Sequence, residues 1–111
     1  MSYDISILSQ PLNVATAKPE LLEQLTRLGW IADSENHLVF QIAGNTCADM
    51  DLAWAEDGDF LEPKNQVNRI QVHIPYGFLE AARTDILKQC RAIAELLNWQ
   101  AYDEQEGQYL G

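Results

Sequence analysis

The run over residues 67–74 constrains this chain more than any other part of it. Ile70, Val72 and Ile74 alternate with Arg69, Gln71 and His73. That period of two belongs to a strand with one face buried and the other in water. A chain that carries such a strand needs a sheet with one covered face, and the remaining segments supply it. Ile5 and Ile7 share a face over residues 3–9. Leu38, Phe40 and Ile42 oppose His37, Val39 and Gln41 over residues 37–43. Over residues 46–55, Met50, Leu52 and Trp54 point one way and Asp49, Asp51 and Ala53 the other.

Two segments follow helical spacing instead. Pro19 opens the first, Glu20 and Glu23 suit its early turns, Leu21, Leu25 and Leu28 share one face, and Gly29 ends it. The second covers residues 78–98, with Leu79, Ala82, Ile86, Cys90, Ile93 and Leu97 as its apolar stripe. Residues 30–32 and 99–103 read as further extended segments, and Glu106-Gly107 as a turn into Gln108-Tyr109-Leu110. Turns are expected at Ser34-Glu35-Asn36, Gly44-Asn45 and Asp57-Gly58, a loop over residues 10–17, and irregular chain over residues 60–66.

The element order is therefore β-α-β-β-β-α-β. Each helix has a single apolar stripe and each strand a single apolar face. An α+β fold with a mostly antiparallel sheet and two helices on one face satisfies all of them. The nearest simple plan is ferredoxin-like plus an extra strand. At 111 residues, 47% of them apolar, the chain suits a single domain over 1–111 with a core that needs no staples.

Charge narrows the function classes. Seventeen acids against seven bases leave a net charge of −10. Nucleic acid and anionic membranes repel such a chain, and a basic protein partner is attracted. From Leu28 to Pro63 there are eight acids and no base, six of them between Asp49 and Glu62. Holding these like charges together costs stability, and a cationic partner would offset that cost. Asp49, Asp51, Glu56, Asp57, Asp59 and Glu62 are the expected partner-binding residues. Trp54, beside Glu56, is the expected aromatic anchor. The last twenty residues add a second acidic run, Asp103-Glu104-Gln105-Glu106, which extends the first if the last strand lies beside the acidic one.

Catalytic and cofactor motifs find no support. The six glycines are scattered, so there is no phosphate-cradling loop. Asp57-Gly58-Asp59 lacks the spacing of a calcium loop. His37, His73, Cys47 and Cys90 contain no closely spaced pair of the kind zinc sites use. Cys47, just after Gly44-Asn45-Thr46, is the more accessible of the two thiols and the candidate nucleophile for an enzymatic reading. Two cysteines do not make a disulfide framework. The start Met1-Ser2-Tyr3-Asp4 has no basic, apolar leader, so a cytoplasmic chain with no cofactor and no metal is expected.

In size, in its lone α+β domain, in the acid-rich stretch from Asp49 to Glu62 and in its missing catalytic motif, the chain resembles the small acidic immunity proteins of bacterial toxin systems, contact-dependent inhibition among them. Its ending, Trp99-Gln100-Ala101-Tyr102-Asp103-Glu104-Gln105-Glu106-Gly107, is similar to strand-turn endings in small bacterial proteins. The resemblance implies a non-catalytic inhibitor that binds a cognate toxin domain, often a nuclease, with carboxylates standing where substrate phosphates would. The alternative is a small-molecule-sensing or regulatory domain of ferredoxin-like type, to which Pro75-Tyr76-Gly77 would contribute the strand–helix junction.

Overall fold

The computed structural model describes residues 2–9, 15–56 and 59–110. The elements run β1 (Ser2–Leu8), β2 (Thr16–Ala17), α1 (Lys18–Arg27), β3 (Ile31–Ala32), β4 (His37–Ile42), β5 (Asn45–Glu56), β6 (Asp59–Leu61), β7 (Gln66–Val67), β8 (Arg69–Pro75), α2 (Tyr76–Leu97), β9 (Gln100–Asp103) and β10 (Gln108–Tyr109). The principal sheet has the order β10-β9-β1-β8-β5-β4-β3, with β6 paired to the far end of β5, and β2 pairs with β7 apart from it. Every pair is antiparallel. Because β1 lies between β8 and β9 and opposes both, those two strands run parallel and α2 joins them across β1. This is a split β-α-β unit.

The fold is thus α+β, a mostly antiparallel sheet with two helices. Residues 10–14 of the expected loop lie outside the described residues, whereas Thr16 and Ala17 form β2. Residues 59–61, expected to be irregular from Phe60 onward, form β6 instead.

Alternation decides which side of the sheet is covered. Ile5, Ile7, Ile70, Val72, Ile74, Met50, Leu52 and Leu38 form the inner rows and are buried. Helix α2 lays Ala82, Ile86, Cys90 and Ile93 on them, and α1 adds Leu21 and Leu25 to the same core. Leu79 lies outside the described side chains, and Leu97 is half-buried. The outer rows carry Asp4, Ser6, Arg69, Gln71, His73, Asp49, Asp51 and His37, which the register brings side by side.

The helix ends follow their sequences. Pro19 sits in the first turn of α1, where its missing N–H leaves no helical bond unmade. Gly29, at φ +106°, turns the chain out of the helix. The next residue, Trp30, is buried against Phe40, ring centroids 5.1 Å apart. Its indole N–H donates to Gln89 of α2 at 3.2 Å, and the Gln89 amide donates to the Leu28 carbonyl at 3.3 Å. One carboxamide therefore joins the end of α1 to α2. Asn98 closes α2 in the left-handed region, φ +57°.

Two irregularities shape β5. Phe40 pairs with Ala48 while Gln41 pairs with Thr46, so Cys47 is the extra residue of a bulge. Farther along, β5 outruns its partner on β8, and the buried Asn68 takes over. Its side-chain oxygen accepts from the Ala55 N–H at 2.6 Å and its amide donates to the Ala55 carbonyl at 2.9 Å. The β4–β5 hairpin turns at Ala43-Gly44, one residue earlier than the expected Gly44-Asn45. Both central residues have positive φ, 52° and 84°. That is the two-residue turn whose twist suits antiparallel strands, and Ala43 bears a left-handed backbone that alanine disfavours. Ala43→Gly or Ala43→Asn is expected to raise stability by about 1 kcal/mol. Gly44→Ala should lower it by a similar amount. Denaturant midpoints measured at unchanged m-value check both signs.

Candidate functional site

The expected partner-binding residues separate into two groups. Asp49 and Asp51 stand on the open face of the sheet. Trp54, Glu56 and Glu62 line one open cavity of about 590 Å³ at the end of β5, together with Leu61, Lys64, Asn65 and Gln66. Asp59 faces Glu56 across the β5–β6 hairpin. Asp57 lies outside the described residues.

The cavity combines an aromatic wall with acids. Trp54 is half-buried and its indole N–H donates to Glu56 Oε2 at 3.2 Å. Opposite Trp54 in the ladder is Leu61, half exposed. Phe60, 56% exposed, takes the other side of the hairpin, where the Arg69 guanidinium lies over its ring at 4.2 Å.

A buried lysine braces the loops beside the cavity. Lys18, from the first turn of α1, reaches Glu35 at 2.9 Å, the Asn36 side chain at 3.0 Å and the Pro63 carbonyl at 3.4 Å. Asn36 in turn donates to Glu62 at 3.1 Å. The acid-rich segment has no base of its own, and the fold brings one in from outside it. A signal for this exists in the sequence. A lysine in a first helical turn opposes the helix dipole and gains from a tertiary carboxylate.

On the open face the acids are engaged. His37 Nδ1 lies 2.6 Å from Asp33 and its Nε2 lies 3.3 Å from Asp49. His73 Nδ1 lies 2.8 Å from Asp4 and its Nε2 lies 3.3 Å from Asp51. Both histidines stand on the open side of their strands, as the alternation around His73 implies for that residue, but neither stands alone. Spacing within one strand could not reveal the partners, because three of the four aspartates sit elsewhere in the sheet.

The second acidic run does not extend the first. Strand β9, which carries Asp103, is separated from β5 by β1 and β8. Asp103 is itself buried, with the Tyr3 hydroxyl donating to its Oδ2 and the Gln105 and Glu106 N–H groups donating to its Oδ1 at 3.0 and 3.1 Å. Burial pushes the Tyr3 phenol up, and the hydrogen bond to Asp103 adds to the shift. That carboxylate closes a turn and is not presented to a partner.

The accessible thiol expected at Cys47 is not found. The bulge turns this residue into the core, where it is 2% exposed and its thiol donates to the Phe40 carbonyl at 3.4 Å. Burial pushes its pKa up, and it pushes Cys90 up to about 12, the opposite of what a nucleophile needs. Among the described residues, no three histidine, cysteine, aspartate or glutamate side chains are arranged to hold a metal ion. No described helix is long and apolar enough to cross a membrane.

No protein-family model matches the chain, and a search of curated proteins returns no match.

Burial of both thiols sets an expected outcome. In native protein a water-soluble disulfide reagent should modify Cys47 and Cys90 only at the rate of unfolding, and in denaturant it should modify both at once. Rapid reaction of one thiol in the native state would return Cys47 to the surface.

Proposed function

We propose that this chain is a non-catalytic protein-binding domain that neutralises a basic cognate toxin of the nuclease type, docked on the β5–β6 edge. One observation carries the reading: Trp54, Glu56 and Glu62 converge on one open cavity that the half-exposed Leu61 also lines. Binding energy concentrates on aromatic anchors ringed by polar groups, and a half-buried tryptophan bordered by carboxylates has that composition. Nuclease sites are basic because they hold phosphates. Glu56, Asp59 and Glu62 would take the place of those phosphates and accept charge-assisted hydrogen bonds from arginine and lysine.

The net charge of −10 favours fast, steered capture of such a partner. The Lys18 anchor fixes Asn36, which holds Glu62 in place before binding, so less ordering is left to the encounter. Asp49 and Asp51 contribute to the long-range field more than to the contact, since imidazoles already occupy them. The cytoplasm, where an inhibitor would meet its toxin, is part of this proposal.

The test compares the parent with Glu56→Lys/Asp59→Lys/Glu62→Lys, each immobilised and exposed to lysate of the native organism at low and then high salt. The parent should retain one basic protein in stoichiometric amount through high salt, and should suppress that protein's nuclease activity once it is purified. The triple variant, shown to be folded by circular dichroism, should associate at least about tenfold more slowly at low salt. That gap should narrow as salt rises. Equal capture by parent and variant would remove the edge as the docking surface. A captured protein without a suppressible activity would remove the inhibitor reading.

A further inference from the structure

The two histidines of the chain share an arrangement. Each imidazole lies between carboxylates on different elements, with both ring nitrogens within 3.3 Å of an oxygen. A neutral imidazole has one N–H and one lone pair. In either neutral tautomer one nitrogen would turn its lone pair toward a carboxylate. Only the imidazolium meets both neighbours with a donor.

Asp49 links the two bridges. Its Oδ2 pairs with His37, and in the ladder it stands directly opposite His73. Its Oδ1 is screened from solvent and accepts no hydrogen bond from the described residues. A carboxylate oxygen so placed depends on the charge of the rings beside it. Asp51 is similarly shared, paired with His73 and directly opposite His37.

We infer that the open sheet face is a proton-operated charge switch. With both rings protonated, His37 and His73 tie Asp33, Asp4, Asp49 and Asp51 together across β1, β8, β5 and β4. With both protons lost, the summed charge of these two rings and four carboxylates changes from two net negatives to four. The charged groups facing His73 are Asp4 from β1 and Asp49 and Asp51 from β5. Those facing His37 are Asp33 from the turn before β4 and the same Asp49 and Asp51. Arg69, farther along β8, donates to Ser6 at 3.0 Å and stacks on Phe60.

The direction of titration agrees with this geometry. Partial burial pushes both rings down. For His37 the hydrogen bonds to Asp33 and Asp49 outweigh it, with the charges of Asp33 and Asp51. For His73 the Asp4 hydrogen bond outweighs it, with the charges of Asp49, Asp4 and Asp51. Both rings end above the ordinary histidine value. A histidine raised in the fold stabilises it fully below the unfolded value, about 6.5. That contribution is lost as the pH rises through the folded-state midpoint. The switch therefore opens on the alkaline side. It needs no partner, so its test is independent of the docking edge.

The test is a ring-proton NMR titration, with the two signals assigned by His37→Gln and His73→Gln. Both midpoints should lie above about 6.5 in the parent. Asp49→Asn should lower both, Asp4→Asn that of His73 alone, and Asp33→Asn that of His37 alone. The parent's Tm should fall by a few degrees between the unfolded value and the folded-state midpoints, and His37→Gln/His73→Gln should flatten that fall. If the double variant does not fold, the parent and the aspartate variants decide the matter on their own. Midpoints at or below the ordinary value, or an Asp49→Asn protein with either histidine unmoved, would overturn the switch.

Discussion

The structure depends on a sheet with only one covered face. Two helices cover the inner rows, so alternation sends the polar residues of β1, β8, β5 and β4 to the open side, where facing residues stand about 4.5–5.5 Å apart. Acids placed at that spacing would repel one another across the ladder. The register puts His73 between Asp4 and Asp49, and His37 beside Asp51, so imidazoles and carboxylates interleave. A slip of one residue in β5 would bury Asp49 and Asp51 and expose Met50 and Leu52. Charge pairing outside and apolar burial inside therefore favour the same register. The paired groups are partly exposed, with Asp51 at 53% and both histidines near 30%. Such pairs contribute little compared with the core, about 1 kcal/mol or less each. They set the charge of the face more than they hold the fold.

The edge that carries Trp54 and Glu56 exists because β5 continues past β8. A strand cannot extend into a protein interior with its N–H and C=O groups unpaired, since each would cost roughly 1–3 kcal/mol. Asn68 removes that obstacle by presenting a carboxamide in place of a ladder residue, donating to one group of Ala55 and accepting from the other. Beyond it the chain folds back as β6 and brings Leu61 opposite Trp54. Lys18 then ties the loops at Glu35, Asn36 and Pro63 together beside the cavity, and Asn36 reaches Glu62 in its wall. The candidate site thus rests on two buried polar side chains, both satisfied, that sit outside the acidic segment.

What the sequence made legible follows from length and period. β1, β4, β5, β8 and both helices are long enough to repeat their pattern. The pairs β2–β7 and β5–β6 involve segments of two or three residues, too short to show a period, and they form because neighbours already in place offer partners. The Ala43-Gly44 turn was displaced by one position because Gly44-Asn45 looks the better turn dipeptide, whereas pairing of Ile42 with Asn45 demands the earlier residues. Cys47 looked accessible because a bulge leaves no mark in a single strand's pattern. Asp103 reads as one member of an acidic run with Glu104, yet β9 turns it inward to Tyr3. In each case the deciding partner is far away in sequence.

The acid-rich stretch from Asp49 to Glu62 shows why a run of charge in sequence is not a patch in space. Asp49 and Asp51 occupy the odd positions of β5 and face the open side. Trp54 and Glu56 occupy even positions, continuing the row of Met50 and Leu52 beyond the reach of the core. Glu62 joins them through the hairpin and not through β5 itself. One strand therefore serves two surfaces of different character. On the face, imidazoles compensate the acids internally, and protons govern how far. At the edge, Trp54 and Leu61 stand beside Glu56 and Glu62, whose hydrogen-bond donors are an indole and an amide. A basic partner gains most where carboxylates adjoin apolar anchors, because it can neutralise charge and bury surface in one contact. That difference, set by the parity of residues along β5, separates the Trp54 edge from the face that carries the histidines.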